Sequence, residues 1–131
     1  MPAAEDALPP GYRMDIKQLT DTPEAIAEAA ADAIMARNPE GWITYGEVVD
    51  EIVSGLGLDT SDIDHERQGG YQGVLTFTVP TNIGEFVVNV HYGSCSVCDT
   101  MLAISDMRGE RREKALRRFA LSVLQGFERK E

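Results

Sequence analysis

Two cysteines stand three residues apart in "HYGSCSVCD", the stretch from His91 to Asp99 of this 131-residue chain. Thiols at that spacing, on a tight turn that opens a helix, serve three kinds of chemistry: a reversible disulfide, half of a zinc site, or half of an iron-sulfur site. Ser96 and Asp99 form an approximate capping box, which places Cys98 in a first helical turn, where unpaired N–H groups lower a thiol's pKa. Zinc closed within one chain needs four ligands, Cys95 and Cys98 with two of His91, His65 and Asp99; the candidate metal set is Cys95, Cys98, His91 and Asp99. The plainer reading is that a glycine-tight turn packs two small side chains that stay reduced, with no cofactor. A thioredoxin-like enzyme carries its motif early, with further strands behind it. Here only helices are expected to follow.

The elements that must position these residues read as α-α-β-β-α-α. Thr22 is a good N-cap with Pro23 at the first helical position, and Ile26, Ala30, Ile34 and Arg37 recur at helical spacing until Asn38-Pro39 stops the run. Thr44 and Glu47 make a capping box, with Ile43 and Val48 as its hydrophobic staple, and Tyr45, Val48, Val49, Ile52, Val53 and Leu56 then cover one face. Gly57 suits the left-handed position after that helix, and Trp42 reads as an anchor at the core edge. "LDTSDIDHERQGG" reads as a polar connection; its acidic spacing lacks the central glycine and the terminal acid of a calcium loop. Strict alternation in "YQGVLTFTV" and "GEFVVNVHY", joined by "PTNIG", predicts an antiparallel hairpin. Val97 to Met107 and Glu110 to Phe127 read as helices broken near Gly109. The expected fold is α+β, a small antiparallel sheet or hairpin packed on about four helices. Residues 1–20 are expected to be a flexible arm and residues 21–131 a single domain.

Charge divides the chain. Residues 1–107 hold 4 Lys/Arg and 18 Asp/Glu, whereas residues 108–131 hold 8 and 4, so the last fifth is electrically opposite to the rest of a chain of net charge -10. Such a surface disfavours nucleic acid, leaving only the C-terminal arginines, Arg117 among them, to contact it. Arg108, Arg111, Arg112 and Arg118 are the candidate interaction residues; the alternative is that these cations pair with the chain's own acidic body. No apolar run is long enough to span a bilayer, and "MPAAEDALPP" lacks the basic and apolar regions of a secretory leader, which together predict a cytoplasmic protein with no membrane association.

Two resemblances attach to the cysteine region. "YGSCSVCDTMLAI", Tyr92 to Ile104, resembles a motif in small uncharacterised proteins of bacteriophages, particularly those of actinobacteria. That likeness implies a phage or prophage origin, with the host cytoplasm as the compartment. "GGYQGVLTFTVPTNIGEFVVNVHYGSCSVCDTMLAI" is similar in layout to the C-terminal domain of NifU-type iron-sulfur scaffold proteins. This second likeness implies Cys95 and Cys98 as cluster ligands completed by a second subunit, although Asp99 stands where that family prefers proline. From the residues themselves, no nucleophile-base pair, carboxylate dyad or phosphate-cradling loop can be assembled. The expectation is a non-enzymatic protein that binds another protein, a host protein if phage-encoded, with homodimerisation left open. The alternative is a zinc, iron-sulfur or thiol-redox protein working through Cys95 and Cys98.

Overall fold

The computed structural model describes residues 20–58, 63–69, 73–81, 84–93 and 100–129. The described residues form an α+β fold with four helices, α1 (Pro23–Arg37), α2 (Tyr45–Gly55), α3 (Thr100–Ser105) and α4 (Gly109–Gln125). Four strands, β1 (Asp64–Gly69), β2 (Gly73–Thr81), β3 (Gly84–Tyr92) and β4 (Glu128–Arg129), form one antiparallel sheet in the order β1-β2-β3-β4.

Local chemistry explains the helix boundaries. Thr44 Oγ1 accepts from the Glu47 backbone N–H, and the Glu47 carboxylate accepts from the Thr44 N–H, so the expected capping box satisfies two orphan donors of α2. Gly57 takes φ +79 just beyond α2, as its place in the sequence requires. Thr22 is the N-cap of α1 and Pro23 its first residue, but the Thr22 side chain makes no cap bond. The buried face of α1 is Ala27, Ala30, Ala31 and Ile34, shifted from the expected stripe. Its small side chains let α1 lie close along α4, its principal helical neighbour.

The hairpin is the predicted one, in register from Gly73 opposite Tyr92 to Thr81 opposite Gly84. Phe77, Val79, Phe86, Val88, Val90 and Tyr92 are buried beneath the helices, whereas Asn89 and His91 on the other face are exposed. Gly73 has a steric role, because a Cβ there would fall 1.9 Å from the Gln68 carbonyl oxygen and 2.8 Å from Tyr92 Oη. The remaining core comes from Ile43, Val48, Ile52 and Val53 around α2, Met101 and Ile104 of α3, and Leu116, Ala120, Val123, Leu124 and Phe127 at α4.

Four expectations are corrected, the first being that only helices follow the cysteines, since β4 also follows them and pairs with β3. Part of the polar connection is strand β1, whose residues are all exposed; it forms by pairing with β2, and its charged side chains suit a sheet edge open to water. Trp42 is no anchor, being 61% exposed. Arg112, placed among the surface cations, is completely buried. Its guanidinium donates to the carbonyls of Asn38 and Gly41 at 2.8 Å, Ser105 at 2.9 Å and Met107 at 3.4 Å. Asn38 caps α1 and Ser105 closes α3, so the cation sits among the negative ends of two helices, and this offsets the cost of burying it. No helix among the described residues is long and apolar enough to cross a membrane.

Candidate functional site

A groove of about 680 Å³ runs between β3, α3 and α4. The amphipathic pattern of α4 places Ala115, Phe119 and Val123 on its wall, α3 and the turn after it add Ile104 and Met107, and Val88 to His91 form the opposite side. Arg118 reaches the same groove from the exposed flank of α4.

The cations of α4 divide into two sets. Arg117 pairs with Glu113 one turn earlier and with Glu28 of α1 at 3.9 Å, while Arg112 is spent on backbone carbonyls. Arg108, just before the helix, lies 3.9 Å from Glu40 and donates to the Ser105 and Met107 carbonyls. By contrast, Arg111, Lys114 and Arg118 are exposed and form no ion pair among the described residues. Positions three and four apart share one helix flank, so Arg111 stands beside Arg118 at the groove, while Lys114 lines a separate hollow with Glu24 and Ala27 of α1. Of the candidate interaction residues, Arg111 and Arg118 therefore belong to this surface, Arg108 lies at its start engaged with its neighbours, and Arg112 is removed from it.

A second cleft, of about 430 Å³, lies between the β1–β2–β3 strands and the starts of α2 and α3. Cross-strand pairing sets His65 beside Phe77, with ring centroids 5.9 Å apart, and places Arg67 opposite Leu75. The Arg67 guanidinium carbon lies 4.5 Å from the centre of the Tyr92 ring and its Nε donates to Tyr92 Oη at 2.9 Å. Trp42 and Tyr45 line the facing wall. The cation of this aromatic cleft is thus already engaged, unlike those of the groove.

Two other electrostatic features bear on the scaffold. Arg37 bridges to Glu51 at 2.7 Å and lies 3.7 Å from Glu47. On the same helix, partial burial pushes the Asp50 carboxyl above its ordinary value; repulsion from Glu51 and Glu47 adds to this, while Arg37 opposes it.

Of the candidate metal residues, Cys95, Cys98 and Asp99 lie outside the described residues, and His91 is exposed on the outer face of β3 at the rim of the groove. Among the described residues, no three His, Cys, Asp or Glu side chains gather as a metal site would require. Sequence reasoning missed the groove, the aromatic cleft and the exposure of Trp42. Only His65 and Arg67, at strand spacing within a polar segment, marked the cleft. Comparison with protein-family models, curated proteins and solved structures finds no match to this chain.

Proposed function

We propose that this chain is a non-enzymatic binding protein that engages an acidic segment of a partner protein through the groove beside α4. One observation carries the reading: Arg118 lines an apolar groove and Arg111 stands on the same helix flank, both exposed and without an ion pair among the described residues, on a chain of net charge -10. Cations of an acidic protein that make no internal pair are free to recognise carboxylates, and the apolar wall supplies the area that charge alone does not. A protein segment fits better than nucleic acid, because the acidic body repels an extended polyanion. The metal and thiol-redox alternatives rest on Cys95 and Cys98, and the exposed position of His91 adds nothing to them.

The test is fluorescence anisotropy with a labelled peptide of alternating valine and glutamate. Wild-type protein binds it, more weakly as salt rises. The double variant R111E/R118E keeps its melting temperature and loses roughly tenfold or more in affinity, since each exposed charge contributes about 0.2 to 1 kcal/mol and reversal adds repulsion. Unchanged affinity in that variant refutes the proposal.

A further inference from the structure

We infer that the partner segment binds as an added β-strand along the open edge of β3; this rests on the groove being the binding surface. One edge of β3 is paired with β2 along its whole length, from Gly84 to Tyr92. Among the described residues the other edge is paired only at Phe86 and Val87, with β4. Beyond that point Val88, Asn89, Val90 and His91, four consecutive residues, all line the groove. Successive side chains of a strand point to opposite faces, so consecutive residues border one groove only where it runs along the strand's edge. Alternate residues there direct backbone N–H and C=O groups into the groove, a template for main-chain pairing.

The geometry selects the occupant. β4 holds the lane next to Phe86 and Val87, and Phe127 and Gly126 lead into it past Val88, so an incoming strand lies beyond that entry, beside Asn89 to His91, and extends the sheet without displacing β4. Three residues of added strand cover about 10 Å. Side chains on one face of that strand meet Ile104, Met107 and Phe119, which take apolar groups; Arg118 lies within the same groove and Arg111 shares its helix flank, which favours carboxylates. The partner is therefore an extended segment that alternates apolar and acidic residues.

The experiment uses the same valine-glutamate peptide with N-methyl groups at alternate positions, in two versions offset by one residue. Strand addition requires that one version lose roughly tenfold or more, because its N–H groups face β3, while the other binds like the parent. Amide hydrogen exchange within Asn89 to His91 slows on peptide binding. Equal loss in both versions, or none in either, overturns strand addition; if R111E/R118E still abolishes binding, the groove reading survives it. Edge amides already protected in the free protein assign the edge to the chain's own segments and overturn the inference, as does a dimer in sedimentation that excess peptide fails to dissociate.

Discussion

Replacing Arg112 with methionine tests how the α1–α2 connection is held. The guanidinium is the partner of the Asn38 and Gly41 carbonyls, and it shares those of Ser105 and Met107 with Arg108. R112M preserves most of the buried volume but leaves the Asn38 and Gly41 oxygens without that donor, at about 1 to 3 kcal/mol each. Relief of the guanidinium's burial, which holds its pKa below the ordinary arginine value, and of its unpaired Nε offsets part of this loss. The net expectation is about 3 kcal/mol of destabilisation. With an unfolding entropy near 2.1 cal/mol/K per residue over 131 residues, that corresponds to a fall of about 10 °C in melting temperature. R112K, which keeps the charge but not the forked geometry, falls between, and R111M at the exposed neighbour stays within about 0.5 kcal/mol of wild type. Thermal and urea melts followed by circular dichroism measure all three. An R112M variant within about 0.5 kcal/mol of wild type refutes the idea that this cation clamps the loop to the helices.

Two further outcomes are expected. The Asp50 carboxyl is raised in the fold, so its ionised form is disfavoured there; the resulting cost is absent below the unfolded carboxylate pKa and appears as pH rises through the folded value. D50N therefore raises the melting temperature at neutral pH and leaves it unchanged below about pH 3.5, and a gain that persists in acid contradicts this assignment. Trp42, the single tryptophan, should emit like indole in water and be quenched by iodide, and W42A should cost less than about 0.5 kcal/mol; a blue-shifted, protected emission contradicts its exposure.

What could be read from the chain followed the locality of its causes. Helix α2 was legible to the residue because Thr44, Glu47 and the glycine at 57 act within one or two turns of each other. The β2–β3 hairpin was legible because alternation with a short connection admits one economical pairing. Strand β1 was not, since its charged sequence has no apolar alternation and its order comes from β2. Nor was β4, two residues long, whose pairing depends on where α4 delivers it. Arg112 misled for a related reason. Helical periodicity assigns an arginine to the solvent side, and only the tertiary approach of two helix ends supplies carbonyls to hold it inside.

The same distinction reorganises the charge split. Were the C-terminal cations present solely to neutralise the acidic body, each would face a carboxylate, as Arg117 faces Glu113 and Glu28. Arg112 instead uses its charge on carbonyls, and Arg111, Lys114 and Arg118, exposed and without an ion pair among the described residues, face outward, Arg118 into a groove bordered by an apolar wall and by β3. Internal neutralisation therefore accounts for a minority of the basic residues of α4. The exposed three raise the local potential where the rest of the surface lowers it, so an acidic segment is steered away from the body and toward one groove. Electrostatics of this kind selects where an encounter occurs, and the strand edge and apolar wall then decide whether the encounter is retained.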